Sequence, residues 1–176
     1  MREMSQKTEH VMKKISIGKV VLNIGVGKSG EPIDQAKGAL SQILDKKPSA
    51  RVAKSAQRDW GVHKGEPIGV VLTIRGNDAV SLLKRLFEAK GNQIKGSSFD
   101  NFGNLSFGII EHIDIPGVKY NPKIGILGLD VAIALQRPGF NIRFKSKQRS
   151  KIGKLHRISK EEAKEFLIRE FGIEVS

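Results

Sequence analysis

The sequence predicts an α+β fold in which three helices cover one face of a sheet of about five strands. Several segments alternate apolar and polar residues with the period of a half-buried strand, and three others carry apolar residues at helical spacing. Each predicted strand keeps one polar face, and each helix has a single apolar stripe. These elements therefore fit a two-layer sandwich with a mixed or antiparallel sheet, whose second face is open and polar.

The elements can be assigned in order along the chain. Residues 1–14 have no apolar period and are predicted to be a mobile N-terminal arm, ahead of a single domain at residues 15–176. Strands are predicted at residues 17–26, 50–55, 68–75, 105–109 and 131–136, and helices at residues 33–44, 77–91 and 160–172. Asn77 is the predicted N-cap of the second helix, and Ser159 with Glu162 forms a predicted capping box for the third.

The charge of the chain favours a polyanionic partner. Lys and Arg number 31 against 18 Asp and Glu, which gives a formal charge of +13. No apolar run approaches the roughly 18 residues of a membrane-spanning helix, and the polar start lacks the apolar core of a signal sequence. The absence of cysteine excludes disulfides, a thiolate nucleophile and Cys-ligated metal sites.

Three glycines provide the main enzyme alternative. Gly25, Gly27 and Gly30 satisfy the G-x-G-x-x-G pattern of dinucleotide-binding proteins. The helical pattern begins only after Pro32, so a tight turn is the favoured interpretation. The four histidines lack metal-ligand spacing, and we therefore expect no metal site. We also expect no cofactor.

Two basic tracts are candidates for contact with RNA. Six Lys or Arg surround Trp60 between residues 46 and 64, where an exposed tryptophan either provides a stacking platform or belongs to a solvated face. Residues 137–160 hold nine Lys or Arg and no acid, so residues 137–158 are predicted to be a basic loop ordered by RNA. The predicted phosphate-binding residues are Arg137, Arg143, Lys145, Lys147, Arg149, Lys151, Lys154 and Arg157.

The polar strand faces predict where RNA binds. The residues assigned to the open sheet face are Lys19, Asn23, Thr73, Arg75, Ser106 and Gln136. Small polar groups flanked by basic segments favour folded RNA, since no run of strand aromatics suggests a single-strand reader. A free-standing nucleic-acid chaperone or DNA-binding protein, indicated by charge alone, is the other alternative.

Five motifs follow one another along residues 17–173. They are KVVLNIGVGKSG, PIGVVLTIRG, NLSFGIIEHID, IGILGLDVAIALQRPGFN and HRISKEEA. In this order they resemble the universal large-subunit ribosomal protein five family, which binds 5S rRNA in the central protuberance. RPGFN followed by HRISKEEA is similar to the archaeal and eukaryotic branch. The resemblance implies a cytoplasmic, ribosome-bound structural protein and not an enzyme. Its implied partners are 5S rRNA, large-subunit rRNA, the peptidyl-site tRNA and neighbouring ribosomal proteins, with no membrane and no small-molecule substrate.

The resemblance also implies particular contact residues. It assigns Asn23, Lys46 and Thr73 to 5S rRNA, although Lys46 replaces the glutamine of bacterial relatives and suits a phosphate. Further cations expected at this site are Lys19, Arg51, Lys54 and Arg75. The loop resembling the one that reaches the tRNA elbow contains Arg58, Trp60, His63 and Lys64. Phe99 and Phe102, in the predicted loop at residues 91–104, look exposed and either pack inward or stack on RNA.

Overall fold

A computed structural model describes residues 10–175 and has the predicted α+β architecture. The helices are α1 (Glu31–Ile43), α2 (Asn77–Ala89) and α3 (Lys160–Phe171). The strands are β1 (Ser16–Gly25), β2 (Ser49–Val52), β3 (Pro67–Ile74), β4 (Gln93–Ile94), β5 (Leu105–Ile109), β6 (Leu129–Gln136) and β7 (Glu174–Val175). None of the helices within residues 10–175 is long and apolar enough to cross a membrane.

The main sheet has five strands in the order β2-β3-β1-β6-β5, and every neighbouring pair is antiparallel. This topology argues against the dinucleotide alternative, because that fingerprint belongs to a parallel βαβ unit. Gly30, with φ 93°, instead forms the N-cap of α1. Glu31 and Asp34 occupy the first turn of that helix, where they would repel a pyrophosphate.

The helices bury one face of the sheet, as the periodicity predicts. Alternate β1 residues such as Leu22 lie in one core cluster with Leu40 of α1, Leu83 of α2 and Leu167 of α3. Close strand packing requires one glycine, because a Cβ at Gly69 would lie 2.9 Å from the backbone oxygen of Ile24. The opposite sheet face is consequently left without a covering helix.

Local signals at the helix ends are partly confirmed. The capping box is present, since Ser159 Oγ accepts from the Glu162 amide at 3.2 Å and Glu162 Oε2 accepts from the Ser159 amide at 2.9 Å. The prediction of Asn77 as an N-cap is wrong by one residue, because Gly76 occupies that position with φ 71°. A parallel two-residue pairing of β4 with β7 lies partly within the predicted loop at residues 91–104.

The predicted N-terminal arm is described only from residue 10 onward, and residues 1–9 lie outside the described residues. Val11–Lys13 form a short 3-10 helix. The backbone oxygen of Lys13 accepts a hydrogen bond from Arg137 Nε at 3.0 Å. Residues 10–14 therefore contact the domain through Lys13, and the mobile arm across residues 1–14 stays a prediction.

Candidate nucleic-acid interface

The open face of the sheet presents two rows of mostly small side chains. Strand pairing places Thr73, Val21, Ala132 and Ser106 in one row. The neighbouring row contains Ser49, Val71, Asn23, Asp130 and Gly108. Because glycine, alanine and serine project little above the backbone, an RNA sugar or base edge can approach this surface closely.

Asn23 and Thr73 are neighbours on this open face. Asn23 pairs with Val71 and Thr73 pairs with Val21, so the two polar residues stand diagonally at a separation of about 7–8 Å. Both are half-buried, and within residues 10–175 neither side chain makes a hydrogen bond. The amide and the hydroxyl are therefore held close together and free to bind a ligand.

Asp130 is an acidic residue of the open face that sequence analysis missed. It is exposed and lies directly across from Asn23. The signal was available, because Asp130 continues the alternation of Ala132 and Gln136 by one more step. A carboxylate at this position repels phosphate and accepts hydrogen bonds, so the centre of the face suits sugar hydroxyls and base donors.

Cations lie at both ends of the rows rather than at the centre. Lys19 precedes Val20, which pairs with Ile74, and Arg75 follows Ile74, so both cations lie at one end of these strands. Arg51 pairs with Gly69 at the opposite end, and the exposed Lys54 follows β2. The interface therefore has a polar centre between two positively charged ends.

Lys46 differs from the other residues that the resemblance assigns to 5S rRNA. Its ammonium forms an ion pair with the carboxylate of Asp78, in the first turn of α2. This contact joins Lys46 to the helix layer, whereas Asn23 and Thr73 face away from the helices. An RNA phosphate at Lys46 would have to compete with Asp78.

The connection between β2 and β3 is a structured hairpin with an exposed tip. Gln57 and Val62 exchange backbone hydrogen bonds of 2.8 and 3.0 Å, and Arg58–Trp60 form a 3-10 turn between them. The side chain of Trp60 is 78% exposed. Arg58, His63 and Lys64 are also exposed, so the structure brings the four residues of the predicted tRNA loop to one projection.

Glu66 fixes the base of this hairpin. Its carboxylate accepts from the His63 amide at 2.9 Å and from Ser29 Oγ at 2.5 Å. These hydrogen bonds, the His63 bond foremost, hold the pKa of Glu66 below its ordinary value. The contact with Ser29 connects the hairpin to the loop between β1 and α1.

The basic segment, residues 137–158, follows β6 and carries the predicted phosphate-binding residues. It contains short 3-10 turns at Phe140–Arg143 and Lys154–His156. The exposed cations in it are Arg143, Lys145, Lys147, Arg149, Lys151, Lys154 and Arg157. Within residues 10–175 none of these seven forms an ion pair with an acidic side chain. Their charge therefore remains available to an external anion.

Arg137 is a correction to the predicted phosphate-binding set. Its side chain is only 6% exposed, and its guanidinium bonds Glu162 Oε1 at 2.8 Å. It also donates to backbone oxygens of Lys13, His156 and Arg157 at 3.0 to 3.4 Å. With its donors engaged by the protein, Arg137 anchors the basic segment and does not present its charge to phosphate.

Sequence analysis left open whether Phe99 and Phe102 pack inward or stay exposed, and the two side chains have different environments. Phe99 is buried in the core cluster, with Lys164 Nζ 6.0 Å from its ring centroid. Phe102 is 59% exposed. Phe99 thus packs inward, and Phe102 is the one that remains available to a ligand.

Comparison with known proteins agrees with the resemblance seen in the motifs. Residues 10–63 match the family described as Ribosomal protein L5, and residues 67–174 match the family described as the C-terminus of the same ribosomal protein. The chain is 65% identical over 173 residues to "Large ribosomal subunit protein uL5" of Nitrosopumilus maritimus, covering 98% of this chain and 100% of that protein. Proteins of the same name from Cenarchaeum symbiosum and Pyrobaculum aerophilum are 61% and 48% identical, covering 93% and 94% of this chain and 97% and 93% of those proteins.

These relatives are archaeal, which confirms the predicted branch, and they are ribosomal proteins rather than enzymes. A ribosome-bound, cytoplasmic location follows from that relationship. With both family descriptions matched across residues 10–174, the chain belongs to the L5 family of large-subunit ribosomal proteins.

Proposed function

We propose that this chain binds 5S rRNA on the open face of its sheet and helps to attach it to the large subunit in the central protuberance. The observation that carries the proposal is the diagonal placement of Asn23 and Thr73, two neighbouring polar side chains without protein partners among residues 10–175. They lie on a surface that no helix of that range covers. In this proposal residues 15–176 act as a single RNA-binding domain.

The distribution of charge supports different RNA contacts at the ends and at the centre of the face. The cations at the two ends, among them Lys19 and Arg51, suit phosphates, which supply affinity without sequence information. The centre, with Asn23, Thr73 and Asp130, suits base edges and 2′-hydroxyls, which distinguish one RNA from another. The specific contacts and the electrostatic contacts therefore come from different residues.

The two projecting segments extend the proposal to further RNA partners. The exposed cations between residues 143 and 157 suit the backbone of 5S rRNA or of large-subunit rRNA, which would neutralise and order this segment. Trp60 at the hairpin tip suits the peptidyl-site tRNA, since an exposed indole beside cations stacks on nucleotide bases. Neighbouring ribosomal proteins complete the expected set of partners.

A filter-binding titration tests the proposal. Wild-type protein is titrated with 5S rRNA, with a tRNA and with a scrambled RNA of the same length as 5S rRNA, each at a low and a high salt concentration. We expect affinity for 5S rRNA to decrease at high salt but to remain higher than the affinity for the tRNA and for the scrambled RNA. Equal affinity for all three RNAs, lost together at high salt, would show that only the charge is being recognised.

A further inference from the structure

A cleft of about 600 Å³ opens between the basic segment and residues 102–104, away from the open sheet face. Its lining combines apolar side chains, among them Phe102, Phe140 and Ile158, with four exposed cations, which are Arg143, Arg149, Lys151 and Arg157. Its size lies within the range of small-molecule and nucleotide pockets. No residue of the open-face rows or of the hairpin tip lines this cleft.

The cleft is built by specific packing. Gly103 has φ 75°, and a Cβ there would lie 2.6 Å from Ile158 Cγ2, so the loop of residue 103 is pressed against Ile158. On the other side, the ring of Phe140 packs edge-on against His156 with centroids 5.6 Å apart. His156 is in turn hydrogen-bonded through Nε2 to the backbone oxygen of Pro138 at 2.9 Å.

The chemistry of the cleft fits a nucleotide. Within residues 10–175 the four lining cations have no acidic partner, so they attract an anion. Phe102, which is 59% exposed, offers a stacking surface for a planar ring. A base on the apolar side chains with its phosphate at the cations satisfies both requirements.

Asn104 adds a directional contact. Asp100 fixes the orientation of the Asn104 side chain, because Asn104 Nδ2 and the backbone N–H of Asn104 each donate to the Asp100 carboxylate at 2.7 Å. Among the described residues no group donates to Asn104 Oδ1. This carbonyl oxygen is therefore suited to accept a hydrogen bond from the exocyclic amino group of adenine, cytosine or guanine.

We propose that this cleft binds one unpaired, amino-bearing nucleotide of ribosomal RNA, with its base stacked on Phe102 and its phosphate at the lining cations. The proposal rests on the proposed function, since it requires RNA at the basic segment. It adds a site that recognises a single base to a segment whose other contacts are to phosphate.

Substitution of Phe102 tests the stacking contact. The variants are Phe102→Ala, Phe102→Leu, which keeps apolar bulk, and Phe102→Trp, which keeps an aromatic ring. Phe144→Ala is the matched control, because Phe144 is a 73% exposed phenylalanine of the neighbouring basic segment that does not line the cleft. Affinities are measured by filter binding for 5S rRNA alone and for large-subunit rRNA.

We expect Phe102→Ala and Phe102→Leu to weaken binding to one of the two RNAs by about five-fold or more, and Phe102→Trp to restore it. The affected RNA identifies the source of the nucleotide. Phe144→Ala should stay within about two-fold of wild type. Unchanged affinity of Phe102→Ala for both RNAs would overturn the cleft proposal alone, whereas failure of wild-type protein to bind either RNA would overturn the proposed function as well.

Crosslinking tests the identity of the base. The chain has no cysteine, so Ser150→Cys, in the lining of the cleft, supplies a single thiol for a photoreactive label and leaves Phe102 in place. We expect the crosslink, mapped by reverse transcription, to fall at one unpaired adenine, cytosine or guanine. Crosslinks scattered over many positions, or concentrated at a uridine, would contradict the proposal.

Discussion

Arg137 donates a hydrogen bond to Glu162 Oε1 at 2.8 Å and thereby joins the end of β6 to the first turn of α3. The same guanidinium donates to the backbone oxygens of Lys13, His156 and Arg157. One buried cation thus fixes the chain before β1 and both ends of the basic segment. The exposed cations between residues 143 and 154 are presented from this anchored base.

Replacing Arg137 should destabilise the domain. Arg137→Met removes the ion pair and leaves three backbone oxygens without their donor, so we expect a loss of about 3 kcal/mol in the free energy of unfolding. Urea denaturation measures the change. Arg143→Met, an exposed position in the same segment, serves as the control and should stay within about 0.5 kcal/mol of wild type. Equal urea midpoints of unfolding for wild type and Arg137→Met would contradict the proposal that Arg137 anchors the basic segment.

Glu162 should make stability depend on pH at the acid end. Burial raises the pKa of Glu162, but hydrogen bonds from the Ser159 amide and from Arg137, with the charge of Arg137, outweigh burial and place the pKa below its ordinary value of 4.5. Between the folded-state pKa of Glu162 and its ordinary value, the unfolded state therefore binds more protons than the folded state. The stabilisation of the fold by ionised Glu162 is present above the ordinary value and is lost as pH falls through the folded-state pKa.

The test compares wild type with Glu162→Gln at about pH 5 and about pH 3 by urea denaturation. From pH 5 to pH 3 the free energy of unfolding should fall less in the variant than in wild type. The difference should be no more than about 1 kcal/mol, because the Glu162 side chain is 43% exposed and water screens its charge. Glu165→Gln, at an exposed position of α3, is the control and should follow wild type. A Glu162→Gln profile that also follows wild type would contradict the linkage.

Asn23 and Thr73 should each contribute to 5S rRNA affinity. Thr73→Val preserves the shape of the side chain and removes the hydroxyl, and Asn23→Ala removes the amide. Each change should weaken binding by about 1–3 kcal/mol if the lost group makes a buried polar contact with RNA. Filter binding at fixed salt measures the effect, with Ser81→Ala on the helix layer as the control. Wild-type affinity in both variants would move the RNA site off this face.

The basic segment should set the salt dependence of binding. Lys145→Gln with Lys147→Gln removes two exposed cations outside the cleft, so the slope of log affinity against log salt should become shallower by up to about 2. Affinity should decrease for 5S rRNA and for a scrambled RNA alike. Lys84→Gln on α2 provides the control and should leave the slope unchanged. An unchanged slope in the double variant would exclude phosphate contacts at these two lysines.

The sequence predicts the fold well where a signal is local and periodic. Alternation along β1 and β3 is enough to place Asn23 and Thr73 on the same polar face, and the register makes them diagonal neighbours. The capping box at Ser159 is equally local. The β4–β7 pairing has no such signal, because two residues per strand are too few to show a period and the partners are some 80 residues apart.

Tertiary contacts determine the environment of the interface residues for which sequence analysis was wrong or left a choice open. Arg137 has the same side chain as the exposed arginines near it, and only the positions of Glu162 and three backbone oxygens show that it is buried. Lys46 likewise has a partner, Asp78, that is distant in sequence. Phe99 and Phe102 are three residues apart in one loop, and only packing against α3 determines which of them is buried.

A charge placed at the centre of the open sheet face tests most directly whether that face binds 5S rRNA. Ala132 is exposed there, between Val21 and Ser106, so Ala132→Glu adds bulk and negative charge without emptying the core. Ser81→Glu makes the matched change on the helix layer. We expect Ala132→Glu to lower 5S rRNA affinity by at least about ten-fold at unchanged stability, with Ser81→Glu close to wild type. Equal affinity in the two variants would contradict binding at the open face.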